Sequence, residues 1–270
     1  MAKERIDVLL VQRGFFPSRE QARASILAGE VFIGETRVDK AGKTVDAEAA
    51  IEVRSKRQAY VSRGGFKMEG ADQAFHIDFQ DKVVLDVGAS SGGYTDYALQ
   101  HGAKKVFAVD VGYGQLDWKL RTDERVVVME RTNARYLTEE QLGEKVERIV
   151  MDVSFISTTL IFPALFSLAA EDGECVSLIK PQFEAGREFV GKKGVVRDPK
   201  VHRTVLHTCM DAAEKVGWVC TDVCYSPIKG PEGNIEYFIY LKKKGQAHGD
   251  VREKAEKIVT AAHQALGGTE

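Results

Sequence analysis

The first sixty positions are built of short patterned runs. Between Arg5 and Arg13 the apolar residues Ile6, Val8, Leu9, Leu10 and Val11 give one buried helix face and its flank, and Gly14 ends the run. Ser18 opens a second helix, with Gln21 three residues on as a capping-box partner; Ala22, Ile26 and Leu27 form its apolar stripe and Gly29 closes it. Strand-like pieces follow at Val31-Phe32-Ile33, Thr36-Arg37-Val38, Thr44-Val45 and Ile51-Glu52-Val53-Arg54, with a turn at Gly34-Glu35 between the first two. From Lys82 the period changes. Strands over 82–87, 105–111, 125–130, 148–153 and 174–180 alternate with helices over 94–101, 158–170 and 199–216, the last with Pro199 in its first turn. Two late strands, 218–225 and 235–242, share a short Pro/Gly loop, as an antiparallel pair would, and a charged helix runs over 250–266. The pattern predicts a small α+β unit over 1–57, a linker over 58–61 and an α/β domain over 62–270. That domain has a Rossmann-like sheet, mostly parallel with an antiparallel last strand, and binds ligands at the C-terminal strand edge.

Composition narrows the class. With 44% apolar and 29% charged residues among 270, the chain reads as an ordinary soluble protein with a sizeable core. The apolar run Leu160 to Ala170 contains Pro163 and falls short of the ~20 residues a membrane span needs, and Met1-Ala2-Lys3-Glu4-Arg5 lacks a signal-peptide core. A cytoplasmic protein without stable membrane association is expected. Cys175, Cys209, Cys220 and Cys224 form no CxxC pair, so reduced core thiols are expected and no metal site. The net charge of −2 gives no global nucleic-acid signal, although residues 1–60 hold 11 Lys and Arg against 9 Asp and Glu.

The run Asp86-Val87-Gly88-Ala89-Ser90-Ser91-Gly92-Gly93-Tyr94 follows a strand and opens a helix, which leaves three readings open. A dinucleotide fingerprint has Ser90 where its second glycine is needed for pyrophosphate approach. A hydrolase elbow fits Gly88-Ala89-Ser90-Ser91-Gly92 with Ser90 as nucleophile, but sits on the first strand of its sheet, and the downstream His202, His207, His248 and His263 lie mid-helix or near the tail. An S-adenosylmethionine site needs only a looser small-residue loop and strand-end polar groups. Asp110 could accept the ribose hydroxyls with Val111 beside it, Asn133-Ala134 could read the adenine edge, and Asp152 could meet the ammonium of the methionine part.

Two stretches carry family resemblances. Two helices and then small strands, with Ser18-Arg19 opening the second helix and Gly29-Glu30-Val31 turning into the strands, resemble the S4 RNA-binding domain. This resemblance implies phosphate contacts from Lys3, Arg5, Arg19, Arg23, Lys40 and Lys43. In the second part, Lys67 follows Ser62-Arg63-Gly64-Gly65, Asp152 lies in Met151-Asp152-Val153-Ser154, Lys180 opens Lys180-Pro181-Gln182-Phe183-Glu184, and Glu236 ends Gly233-Asn234-Ile235-Glu236. With the glycine loop, these resemble the Lys-Asp-Lys-Glu tetrad of FtsJ-type ribose 2'-O-methyltransferases. Over nearly the whole chain the likeness is to the TlyA (hemolysin-A-like) ribosomal RNA methyltransferases.

The resemblance implies catalysis by Lys67, Asp152, Lys180 and Glu236, S-adenosylmethionine as cofactor, ribosomal RNA or ribosomal subunits as partner, cytidine as target, and an RNA contact at Arg63. A ribose hydroxyl is a poor nucleophile, so in-line methyl transfer needs a base. Lys180 can serve if Lys67 depresses its pKa while Asp152 and Glu236 orient it. Two other classes are set against this: a membrane-active hemolysin, for which only the helix over 251–266 is amphipathic, and a non-catalytic RNA-binding protein.

Overall fold

The computed structural model describes residues 3–16, 18–53, 59–247 and 249–267. Met1, Ala2, Arg54, Gln58 of the expected linker and His248 lie outside them. Two compact units divide between Ala59 and Tyr60.

In the N-terminal unit, helices Ile6–Gln12 and Arg19–Ala28 pack with a three-stranded antiparallel sheet of Thr36–Arg37, Val31–Ile33 and Ile51–Val53. A strand not expected from the pattern, Lys3–Arg5, pairs antiparallel with Thr44–Asp46. The core is Ile6, Leu9, Leu10, Ala22, Ile26, Val31, Val38 and Val45. The second helix begins where Ser18 Oγ accepts the Gln21 backbone N–H at 3.3 Å, and ends at Gly29, whose φ of +78° suits a residue without Cβ. Leu27, expected in the apolar stripe, is 73% exposed. It lies one residue beyond Ile26, so its side chain is turned ~100° off the face that Ala22 and Ile26 share.

The second unit is a seven-stranded sheet. Its strands are β1 (Val83–Val87), β2 (Lys105–Val109), β3 (Val126–Met129), β4 (Val146–Met151), β5 (Ala169–Ile179), β6 (Val219–Tyr225) and β7 (Tyr237–Lys242), in spatial order β3-β2-β1-β4-β5-β7-β6. All neighbours are parallel except β7, which runs antiparallel to β5 and β6. The β1 residues are apolar but for Asp86 because both faces are covered. Val83, Leu85 and Val87 meet the cluster of helices Phe162–Leu168, Pro199–Val216 and Val251–Leu266, while Val84 meets that of Gly64–Phe75 and Gly93–Gln100.

Three expectations need correction. The helix over 158–170 is a 3-10 turn, Thr158–Leu160, then a shorter helix, Phe162–Leu168, with Pro163 in its first turn. Proline has no N–H to donate back and its ring crowds the preceding turn, so a continuous helix cannot pass through it. Strand β5 starts at Ala169, earlier than its pattern suggested. Tyr60 and Val61, assigned to the linker, are packed into the second unit. The Tyr60 ring lies 5.3 Å from Phe66 and 5.4 Å from Tyr97, and the Val61 N–H donates to Asp96 at 2.9 Å.

Candidate active site

The parallel strands end at one edge, and the polar residues that follow them converge there. Gly88 follows β1 with φ +85°, and a Cβ on it would lie 2.4 Å from the Asp152 carbonyl oxygen, so only glycine lets the β1 and β4 ends approach. The pair is pinned by Asp152 N–H to the Val87 carbonyl at 2.9 Å, and Gly88 N–H to the Val109 carbonyl at 2.8 Å ties in β2.

Beside these ends lies a cavity of about 430 Å³ lined by Gly88, Ser90, Asp110, Val111, Asn133, Ala134 and Asp152, among others. The Asp110 carboxylate is held in place by the Ser90 N–H at 2.8 Å and the Gly112 N–H at 2.7 Å. Asn133 accepts the Arg135 N–H through Oδ1, which leaves its NH2 donors for a ligand edge. The lining holds two carboxylates and no lysine or arginine. That donor set fits a sulfonium and an ammonium better than a pyrophosphate.

Five residues of the glycine loop do not line the cavity. Asp86 is buried and accepts the Thr95 hydroxyl at 2.7 Å; burial pushes its carboxyl up to about 7, with Thr95 opposing. Ala89 is buried in the core, and Ser91 gives its carbonyl to the Asp117 N–H. Gly92 and Gly93 serve close packing, where added Cβ atoms would strike Leu120 and Ser62. The lining also includes Gln115, Thr132, Val153 to Ile156 and Ile161, none of which was expected to hold the cofactor. Ser90 does take a positive φ of 48°, as an elbow nucleophile would, but its Oγ meets Gln115 Oε1 at 3.3 Å. No histidine reaches Ser90 among the described residues: His202 is engaged by Tyr237 and the Val196 carbonyl, and His263 by His202.

Next to the cavity, four side chains from four elements form an unbroken chain. Glu236 Oε2 is 2.7 Å from Lys67 Nζ, Lys67 Nζ is 3.3 Å from Asp152 Oδ2, and Asp152 Oδ1 is 2.6 Å from Lys180 Nζ. Lys180 also donates to Ser154 Oγ at 2.9 Å. Glu236 is fully buried and its carboxylate lies over Gly230, where a Cβ would come within 2.1 Å of Oε1. The Lys67–Glu236 contact is close in distance but lacks hydrogen-bond alignment, so both Glu236 oxygens rely on charge attraction. Burial opposes the Lys67 charge, yet Asp152 and Glu236 outweigh it and raise its pKa. Glu236 was expected to orient Lys180; it pairs with Lys67 instead, because Asp152 stands between the two amines. Tyr94, also unmarked, is buried here, and burial together with Asp152 and Glu236 keeps its phenol protonated.

Phe155 is 90% exposed with φ +63°, rare for a bulky residue, and its ring lies 4.9 Å from Phe183, whose centroid is 5.8 Å from Lys180 Nζ. Cys175, Cys209 and Cys220 are buried free thiols and Cys224 is half-buried.

The expected RNA contacts divide. Lys3, Lys40 and Lys43 are exposed. Arg5, Arg19 and Arg23 instead converge on the buried Asp7 at 3.0, 2.9 and 3.1 Å, each with about half its side chain in solvent. Each guanidinium has five N–H donors, so donors remain for phosphate. Arg63, in the second unit, is exposed and donates to the Lys229 carbonyl at 2.8 Å.

Residues 60–243 match the model of the FtsJ-like methyltransferase family and residues 4–51 that of the S4 domain. The chain is 48% identical to YqxC of Bacillus subtilis, described as a candidate rRNA methyltransferase, over 98% of this chain and 95% of that protein. It is 44% identical to the 16S/23S rRNA (cytidine-2'-O)-methyltransferase TlyA of Mycobacterium tuberculosis, over 98% of this chain and 97% of that one. A solved structure from Streptococcus thermophilus, described as a candidate hemolysin, shares 42% identity with a TM-score of 0.76, covering 99% of this chain and 98% of its own.

Proposed function

The chain belongs to the FtsJ-like methyltransferase family, and on that premise we propose that it methylates a ribose 2'-hydroxyl of ribosomal RNA with S-adenosylmethionine, cytidine being the target. The observation that carries this reading is the continuous Glu236–Lys67–Asp152–Lys180 chain beside an acidic cavity at the strand edge. The choice of cytidine is supported by the mycobacterial relative's activity.

When bound, S-adenosylmethionine supplies a methyl group activated on sulfur. Asp110, Asn133 and Asp152, which line the cavity, would hold it. Lys180 Nζ takes the 2'-hydroxyl proton. Of the two amines Lys67 is held between two carboxylates, whereas Lys180 stands at the end of the chain with Asp152 as its one carboxylate partner among the described residues, and the base is assigned to Lys180 on that placement. Asp152 bridges the two amines and fixes where Lys180 points. The exposed Phe155 ring offers a face on which a base drawn out of its stack can lie.

A membrane-lytic role has less support. Among the described residues no helix is long and apolar enough to cross a membrane, and Val251, Ala255, Val259 and Ala262, the apolar face of the terminal helix, are buried against the catalytic unit. The test is transfer of labelled methyl to ribosomal RNA, read as nuclease-resistant 2'-O-methyl dinucleotides. Product from the wild type and none from Lys180→Ala is expected; an active Lys180→Ala protein would remove Lys180 as base, and an inactive wild type would return the chain to a binding role.

A further inference from the structure

Most lysines and arginines of the catalytic unit are neutralised by a nearby carboxylate, as at Lys82, Lys105, Lys119, Arg148, Arg203 and Lys242. The segment after the Lys180 motif differs. Between Gly186 and Lys200 five cations stand against Glu188 and Asp198, in a chain whose net charge is −2. Asp198 is already used as the cap of helix Pro199–Val216, accepting the Lys200 N–H. Lys192, Lys193 and Arg197 are exposed, and none has an ion pair among the described residues.

The segment is held firmly at its base. Val195 and Val196 are buried. Val196 N–H donates to Asn234 Oδ1 at 3.3 Å, Asn234 Nδ2 donates to the Gly194 carbonyl at 3.0 Å, and His202 Nε2 donates to the Val196 carbonyl at 2.9 Å. Burial lowers the His202 pKa to about 4, so that ring is neutral and its Nδ1 accepts the Tyr237 hydroxyl. Gly191 N–H to the Val195 carbonyl, at 3.0 Å, closes a tight turn with Lys192 and Lys193 at its tip. Asn234 is two residues from Glu236, so the turn hangs from the catalytic framework itself. Phe189, 52% exposed, shares a shallow crevice with Lys192, Lys193 and Arg197.

We propose that this turn is a second RNA-binding surface, in which Lys192, Lys193 and Arg197 grip the phosphate backbone of the substrate next to the reacting ribose. The inference rests on the RNA-methylating reading above. Unpaired cations on a rigid support lose little entropy on binding phosphate and desolvate no partner carboxylate, whereas paired ones must first give up a neighbour. An aromatic ring among them adds a stacking face. Phosphate contacts here would fix register rather than read sequence.

The test compares wild-type protein with the full-length triple variant Lys192→Glu, Lys193→Glu, Arg197→Glu and its glutamine counterpart. Filter binding to a structured ribosomal RNA fragment over a salt series is run in parallel with methyl transfer. The glutamate variant should bind at least ~10-fold more weakly, the glutamine variant by an intermediate amount, and the slope of log affinity against log salt should become shallower by about 2. S-adenosylmethionine affinity should not move. Unchanged RNA affinity and slope, or an equal loss of cofactor affinity, would overturn the proposal. Weakened RNA binding alongside a wild type that transfers no methyl would keep the surface and discard the enzymatic reading.

Discussion

Asp7 in the N-terminal unit and Asp152 in the catalytic unit each hold more than one cation, but the enclosed partner differs. Asp7 is fully buried while Arg5, Arg19 and Arg23 stay about half in solvent, so the cluster shows a net positive face outward. Around Asp152 the amines are enclosed too, Lys67 with 11% and Lys180 with 9% of the side chain exposed, and Glu236 balances the second charge. Arginine stays charged at any working pH and suits a fixed display for phosphate. Lysine changes protonation when crowded and dehydrated, which suits a group that must accept a proton. One cluster leaves its cations half in solvent and the other encloses them.

The largest loss is expected at Lys180. Lys180→Ala should lower the rate of methyl transfer by ~10³ or more while cofactor affinity, measured by calorimetry, stays within about twofold. The corresponding loss at Asp7 should be structural. Asp7→Ala leaves three guanidiniums without their anchor, and amide exchange over residues 6–28 should report about 2 kcal/mol less protection.

The Asp7 carboxyl lies well below the usual carboxylate range, chiefly because Arg5 hydrogen-bonds it, against the cost of burial and with Arg19 and Arg23 adding to the effect. A carboxyl with the lower pKa in the folded state stabilises above its unfolded pKa of about 4 and loses that contribution as pH falls. The wild-type unit should therefore lose protection in acid below about pH 4, and Asp7→Asn should not show this dependence.

A subtler change sharpens the catalytic side. Gly230→Ala places a methyl against Glu236 without touching any charge, and should cost roughly ten- to hundredfold in kcat by displacing the carboxylate that holds Lys67. The smallest effect is expected at Ser18→Ala: about 1 kcal/mol of lost exchange protection, confined to helix Arg19–Ala28, with methyl transfer on saturating RNA unchanged.

Local chemistry made much of the fold readable. Ser18, Gly29 and Pro199 mark helix ends by hydrogen-bonding or conformational limits that act within a few residues, and the apolar β1 run shows a strand covered on both faces. What depended on distant partners was silent. Strand Lys3–Arg5 exists only because Thr44–Asp46 lies beside it, and nothing in its three residues signals that. The Asp7 cluster joins residues 12 and 16 apart through side chains, so the sequence offered three free arginines where the fold has engaged ones. In the site, residues at strand ends stood out because a sheet brings such ends together. Gln115, Thr132 and Phe155 sit in irregular segments with no period to betray them. The turn at Lys192 was missed for the same reason: its importance lies in which cations lack a partner, and that is settled only once every other charge has found its place.

The reversed direction of β7 has an architectural consequence. A parallel strand can hand the reaction edge only its last residue, and the chain must then travel the length of the domain before returning. Because β7 runs the other way, it delivers its beginning there, and the connection from β6 crosses that edge instead of the far end. The segment from Ser226 to Glu236 thus becomes a rim rather than a distant bend. That rim carries Gly230, Asn234 and Glu236, so its length and shape are tied to the side chains it borders.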